Sequence, residues 1–377
     1  MEDRRDLDRR IAFLCEADRL KSVDRANVLM DLSRPENSAE HSWHVALYAL
    51  VFGASDRAIA MILLHDLVEI DVGDQPIHLE HDAGILAAAE AAAAQRIFGL
   101  SPDRDRLLAL WTEFETGLSP DARFAKRMDH VQPLFQVLQS NRPLPDHVEI
   151  VRANIDRGRA ARLSQEWPEA IAAARAMLAG DTAEPGELSR RLAFLAEADQ
   201  LKSVYRANTL IDGSRRENSA EHSWHLALYA LILGGMAGAG VNPARVIRML
   251  LIHDLVEIDV GDVPLHSAAG QAHGSAAIQK AEAIAARRIF GLLPDAQARD
   301  LLALWSEFEA ASTPDAIFAK ALDRCQPAIQ NLQSGGAGWR EYRVTFDDIA
   351  TRVGTKVHLG APDLWRWLEV GLRSHFG

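Results

Sequence analysis

Cysteine is nearly absent, with 2 in 377 residues, Cys15 and Cys325. They lie far apart, and neither recurs at the matching place of the internal repeat described below. That excludes a disulfide framework and makes a reducing compartment, the cytoplasm, the expected location. Long apolar runs are missing too. No stretch reaches the roughly 18 to 20 apolar residues of a membrane span, so no membrane partner is expected. The amino-terminal MEDRRDLDRR carries charge where a secretory signal carries an apolar segment. Basic residues are in deficit, 41 Lys and Arg against 53 Asp and Glu, for a formal net charge of −12. Neutralising a chain of phosphates needs a basic surface, so a nucleic-acid polymer is excluded as the main ligand. A single nucleotide is not, because one metal ion and one or two arginines suffice for one phosphate. There is no P-loop, no GxGxxG and no GxSxG. Sustained apolar–polar alternation and hairpin signals are also missing. What remains is an ordinary composition, 48% hydrophobic and 25% charged, with length for two or three domains.

Self-comparison is the informative step. RIAFLCEADRLKSVDRANVLMDLSRPENSAEHSWHVALYALVFG (10–53) returns as RLAFLAEADQLKSVYRANTLIDGSRRENSAEHSWHLALYALILG (191–234). The match continues through MILLHDLVEIDVGDQPIH (61–78) and MLLIHDLVEIDVGDVPLH (249–266), then through RIFGL, LLALW and FAKRMDHVQP/FAKALDRCQP. A period of about 185 residues is far too long for a solenoid repeat and marks a duplicated domain. The second copy carries an insertion, GGMAGAGVNPAR, before its HD segment. The small, acidic and Pro/Gly-containing stretch 178–190 reads as a linker between domains at 1–177 and 191–377.

Each copy reads as helix. ILAAAEAAAAQRIF and AAIQKAEAIAARRIF are rich in strong helix formers. In AEHSWHVALYALVF, Trp43, Leu47 and Leu50 recur at i, i+4 and i+7, an apolar stripe for one buried face. Ser38 is the expected N-cap, and Gly99 and Gly291 the expected C-caps. The fold class is all-α, two tandem helical bundles.

Within each copy one His sits in AEHSW, a His-Asp pair follows about two dozen residues on, and a lone Asp lies much further along. The sets are His41, His65, Asp66 and Asp129, and His222, His253, Asp254 and Asp323. Imidazole and carboxylate together suit Mn, Fe, Co, Zn or Ni. Adjacent ligands do not share a helix face, but at the mouth of a helix both can turn to one ion. An HD dipeptide alone is a weak signal. Here both copies keep every His and Asp of the set while neighbours drift, Met128 against Leu322 and His130 against Arg324.

On these residues the chain resembles the HD-domain metal-dependent phosphohydrolases of the 5′-deoxynucleotidase group. H…HD…D with HDLVEIDVGD carries the resemblance, which covers nearly all of both copies. It implies one divalent metal per HD domain, held by each set of four, and a (deoxy)nucleoside 5′-monophosphate as substrate. It implies acidic residues four and nine positions after the HD histidine, here Glu69 and Asp74, and Glu257 and Asp262. It also implies a phosphate-binding arginine upstream of the first His, Arg25 in VDRAN and Arg206 in VYRAN. Neither copy has the Trp that often follows this arginine, so the resemblance assigns no base-side contacts. Small single-copy relatives are typically dimers, which implies an intrachain pseudo-dimer of the two halves.

The roles have a physical basis. Metal binding lowers the pKa of water toward neutrality. Glu69, one turn beyond His65, shares its face and would orient or deprotonate that water. Asp74, in a loop after Gly73, would protonate the leaving oxygen. Glu40 and Glu221 precede the first ligand and are candidates for orienting its ring. His78 and His266 read as pocket-edge or structural residues, and Trp111 and Trp305 as core. Glu113, Glu115, Glu307 and Glu309 face pocket or solvent. The carboxy-terminal segment reads as helical packing around Trp365 and Trp367. Two alternatives stand beside the monophosphatase: a nucleoside triphosphate or alarmone hydrolase, which needs more basic residues than two or three arginines, and a non-catalytic nucleotide sensor or scaffold.

Overall fold

The computed structural model describes residues 2–76, 82–181, 186–265 and 275–377. The first half runs α1 (Glu2–Ala17), β1 (Asp24–Val28), β2 (Pro35–Asn37), α2 (Ser38–Val51), α3 (Asp56–Leu64) and α4 (Glu69–Val72). It continues through α5 (Ala83–Phe98), α6 (Arg104–Thr116), α7 (Pro120–Leu138), α8 (Pro145–Arg157), α9 (Leu163–Glu166) and α10 (Pro168–Ala179). The second half repeats the order with α11 (Glu187–Ala198), β3 (Tyr205–Thr209), β4 (Arg216–Asn218), α12 (Ser219–Leu233), α13 (Pro243–Ile252) and α14 (Glu257–Val260). Then come α15 (Ala276–Phe290), α16 (Asp295–Ala310) and α17 (Pro314–Gln333). Four shorter and terminal helices close the chain, α18 (Ala337–Glu341), α19 (Phe346–Ile349), α20 (Thr355–Gly360) and α21 (Pro362–Phe376).

The fold is all-α, with one addition that alternation did not reveal. β1 pairs antiparallel with β2, Asp24 opposite Asn37 and Val28 opposite Pro35, and β3 pairs with β4 in the same way. Strands of five and three residues are too short to show a period of two, and Pro35 removes a ladder donor. Each hairpin delivers the chain to its next helix. Asn37, not Ser38, is the N-cap: its side chain accepts from the Ala39 and Glu40 amides, and Glu40 completes a capping box. Ser38 is already helical, and its hydroxyl turns to Glu69. Gly99 and Gly291 do end α5 and α15, with right-handed φ of −61° and −63°. Glycine is needed there for room, since a Cβ would lie 2.7 Å from the carbonyl oxygen of Gln95 or Arg287. The expected linker overlaps two helices, because α10 runs to Ala179 and α11 begins at Glu187.

α2 is not amphipathic. All its residues except Leu50 are buried, and α12 is buried to the same degree. A helix apolar all round belongs inside. The two helices pack on each other between the halves, and α2 also touches α13, as α12 touches α3. The Trp43 indole donates to the Leu251 carbonyl at 3.0 Å, and the Trp224 indole to the Leu63 carbonyl at 3.3 Å. A single apolar core therefore runs through both halves. Trp111 and Trp305 lie in it, as expected.

Around the apolar centre lies a reciprocal polar seam. Lys21 and Lys202 have no exposed surface. Lys202 Nζ donates to Asp199 (2.5 Å), to Glu36 of the other half (2.7 Å) and to His44 Nδ1 (2.9 Å). Lys21 repeats this with Asp18 (2.5 Å), Glu217 (2.7 Å) and His225 Nδ1 (2.9 Å). Asn37 donates to Glu221 at 2.6 Å, and Asn218 to Glu40 at 2.8 Å.

Candidate metal centres

α3 ends at His65, which opens a tight 3₁₀ turn, His65–Val68. The turn points His65 and Asp66 to one place, as a helix mouth should. His65 Nδ1–H donates to the Ile62 carbonyl at 2.7 Å, which leaves the Nε2 lone pair facing Asp66 Oδ1 (3.1 Å) and Asp129 Oδ1 (3.7 Å). α2 brings His41, whose Nε2 lies 3.2 Å from Asp129 Oδ1 and 3.9 Å from Asp66 Oδ2. α7 brings Asp129, four residues before Pro133. Proline has no N–H to give the Asp129 carbonyl its ladder bond, so that carbonyl lacks its usual partner within the helix.

The second half repeats each relation. His253 Nδ1 donates to Leu250 O (2.9 Å), and its Nε2 faces Asp254 Oδ1 (3.1 Å) and Asp323 Oδ1 (4.0 Å). His222 Nε2 lies 3.3 Å from Asp323 Oδ1 and 4.0 Å from Asp254 Oδ2. All eight residues read as ligands thus come together, four and four.

The donor set fits a divalent metal ion. Ligand atoms of His41, His65 and Asp66 lie within 4.8 Å of one another, as do those of His222, His253 and Asp254. The Nε2 atoms of His65 and His253 are buried without a hydrogen-bond partner, a costly state for a polar atom unless another group uses it. Two further clusters have similar composition, Asp18 with Glu217 and His225, and Glu36 with His44 and Asp199. Their centres are taken by the ammonium groups of Lys21 and Lys202.

The other expected residues gather at the same place. Arg25 Nη1 lies 3.1 Å from Asp66, 3.4 Å from Asp74 and 3.6 Å from Glu69. Arg206 lies 2.8 Å from Asp254, 3.7 Å from Glu257 and 3.8 Å from Asp262. Asp74 also accepts from the Ala26 amide (3.3 Å). Ser38 donates to Glu69 and Ser219 to Glu257, both at 2.5 Å. Burial, with the charge of Asp66 nearby, pushes the Glu69 carboxyl up to about 8. Burial and Asp254 push Glu257 the same way. Burial opposes the charge of His41, but Asp129 and Glu36 outweigh it and raise its pKa to about 9.

Glu40 and Glu221 do not orient the first ligand. Their carboxylates turn away to the helix start and pair with Arg34 and Arg215. Glu36 and Glu217 stand behind the ring instead: Glu36 Oε2 is 3.4 Å from His41 Nδ1, and Glu217 Oε2 is 3.6 Å from His222 Nδ1. Gln326 Oε1 also lies 3.1 Å from His222 Nδ1. The identical ENSAEHSW in both copies was the available signal for Glu36 and Glu217. Glu113 and Glu307 pair with Arg57 and Arg245. His78 and His266 lie outside the described residues.

In the second half the site opens into a cavity of about 420 Å³ that also meets Glu309, Trp339, Tyr342 and Val353. Trp339 is the buried tryptophan of the carboxy-terminal segment. Trp365 and Trp367 are only partly buried, and the Trp367 indole donates to Asp8 at 2.6 Å.

The family model for the HD domain matches residues 17–171 and again 198–365, and the chain belongs to that family. Among curated relatives, human 5′-deoxynucleotidase HDDC2 is 31% identical over 141 residues, 37% of this chain. The chain spans 65% of that relative's length. The 5′-deoxynucleotidase YfbR of Shigella flexneri is 27% identical over 153 residues, 40% of this chain and 76% of that protein. A solved structure, a predicted metal-dependent phosphohydrolase from Magnetospirillum magnetotacticum MS-1, is 40% identical with a TM-score of 0.46, covering 50% of this chain and 95% of that one. Among the described residues no helix is long and apolar enough to cross a membrane.

Proposed function

We propose that the chain is a metal-dependent phosphohydrolase that cleaves a (deoxy)nucleoside 5′-monophosphate to nucleoside and phosphate. The observation that carries this is the convergence, twice, of two imidazoles, two carboxylates, a further Glu–Asp pair and one arginine. The names of the relatives supply the nucleotide. His41, His65, Asp66 and Asp129 would hold one ion, and His222, His253, Asp254 and Asp323 another, one divalent ion per domain. When bound, such an ion supplies Lewis acidity to a phosphoryl oxygen and to water. Arg25 and Arg206, now among carboxylates, turn to the substrate phosphate. Glu69 and Glu257, in their ionised form, accept the proton of the attacking water, and burial raises both carboxyls from the usual range toward the neutral pH at which they would work. Asp74 and Asp262 give a proton to the leaving 5′-oxygen.

The domains are taken as 1–177 and 191–377, joined by 178–190, and closed on each other as an intrachain pseudo-dimer. The reciprocal bonds of Trp43 and Trp224 support that pairing. A compact small-angle scattering profile is expected, and a separated two-lobed profile contradicts it. Two free cysteines support the cytoplasm as location.

One observation favours a second reading at the second site. Its cavity is lined by Lys320, Arg324 and Lys356 besides Arg206, set among the carboxylates of Asp254, Glu257, Asp262, Glu282, Glu309 and Asp323, and these further cations are candidates to meet further phosphates. Phosphate release by dialysed protein, with Mn or Co restored, across nucleoside mono-, di- and triphosphates tests both. Preference for monophosphates supports the proposal, preference for triphosphates the second reading, and no turnover on any of them overturns the enzyme.

A further inference from the structure

The buried lysines reach further than the seam between the halves. Glu36 bridges two groups with its two oxygens. Oε1 accepts from Lys202 Nζ at 2.7 Å, while Oε2 lies 3.4 Å from His41 Nδ1 and 3.9 Å from Arg25 Nε. In the second half Glu217 Oε1 accepts from Lys21 Nζ at 2.7 Å, and Oε2 lies 3.6 Å from His222 Nδ1 and 3.8 Å from Arg206 Nε. Both lysines and both glutamates are completely buried. In each case the lysine belongs to one half and the glutamate to the other. The receiving half also holds the lysine's backbone: Arg34 donates to Lys202 O (2.8 Å), and Arg215 to Lys21 O (2.6 Å).

We propose that Lys202 and Lys21 are positioning residues that act across the pair of halves, each completing the metal centre of the half to which it does not belong. A carboxylate without exposed surface stays ionised only beside a cation. Lys202 supplies that cation to Glu36 and holds its Oε1, which places Oε2 behind the ring of His41, 3.4 Å from its far nitrogen, the position from which ligand basicity and orientation are set. The same oxygen steers Arg25, so one trans lysine governs both the metal ligand and the phosphate arginine. Neither centre is complete in a single half. The lysines occupy LKSV in both copies, so the two exchanges are equivalent.

This rests on His41 and His222 as metal ligands, and the test separates the two ideas. Two single-site chains are made, one retaining the first centre (Asp254→Asn with Asp323→Asn) and one retaining the second (Asp66→Asn with Asp129→Asn). Cobalt affinity and the visible cobalt spectrum are measured in each. Lys202→Met should weaken cobalt roughly tenfold or more at the first centre, the usual size for losing a partner behind a ligand. It should leave the second centre within about twofold, as for a distant, independent site. Lys21→Met should do the reverse, and only the crossed centre should change its spectrum. In a Glu36→Gln background, Lys202→Met should add less than about twofold, because the two act in series. If Lys202→Met does not fold, the pair Lys202→Met with Glu36→Gln carries the test, with the same loss as Glu36→Gln alone and an unchanged second centre. Equal losses at both centres, or a loss in the half that carries the changed lysine, overturn the inference alone. No cobalt binding by either parent overturns the metal reading and the inference with it.

Discussion

Glu69 and Glu257 are partly buried carboxyls, each held by one serine hydroxyl and facing an arginine. Replacing both with Gln should keep fold and metal while lowering kcat by about 10²- to 10⁴-fold, the span of general acid–base catalysis. Steady-state kinetics check this, and a double variant with near-normal kcat makes the glutamates bystanders. Either single variant should keep about half the turnover if the centres work independently. At this scale the His and Asp residues that gather at each centre were legible, because a duplicated chain shows which polar residues stay while neighbours change. Glu36 was not, because its role comes from burial against a ring reached through a hairpin. Glu40 misled by being next to His41. Successive helical residues point about 100° apart, so its carboxylate returns to the helix start instead.

Helix α2 owes its position to what lies just before it. Asn37 caps it with its oxygen and crosses to Glu221 with its nitrogen. Asn37→Ala removes a cap worth roughly 1 kcal/mol and leaves a buried carboxylate oxygen short of a charged-group bond worth about 1.5 to 3 kcal/mol. Denaturant unfolding should show a loss of about 2 to 4 kcal/mol, and a loss below half of that would show the cross-half bond to be idle. The helices themselves were readable from composition. The hairpins were not, since three-residue strands leave no period. The stripe Trp43, Leu47 and Leu50 held only in part: Trp43 and Leu47 are buried, Leu50 is the one residue of α2 that is not, and the residues between them are buried too. A period marks one face, and a central helix has several.

That the chain carries one helical HD domain twice was legible in the whole molecule. The interlocking was not, because lysine is read as a surface residue until its burial is seen. The seam also has a pH signature. His44 gives Nε2–H to Leu195 O (3.0 Å) and accepts Lys202 at Nδ1, and His225 does the same with Leu14 O (2.9 Å) and Lys21. An ammonium donor at Nδ1 requires neutral imidazole. Burial and then the neighbouring lysine lower both histidines well below the usual value, with Glu36 and Glu217 opposing less strongly. Their contribution is therefore full above the unfolded value near 6.5 and is lost as pH falls below it, up to about 1.4 kcal/mol per histidine per pH unit. In metal-free protein, the stability advantage over a His44→Gln, His225→Gln chain should shrink between pH 7 and 5. A constant difference would mean that these rings take up protons in the folded chain as readily as in the unfolded one.

The central claim is two separate metal centres, each made of two histidines and two aspartates. Elemental analysis after cobalt loading and desalting tests it most directly. The account predicts two ions per chain, and one in the Asp254→Asn, Asp323→Asn variant. No bound metal in the parent chain, or two ions in that variant, would contradict it.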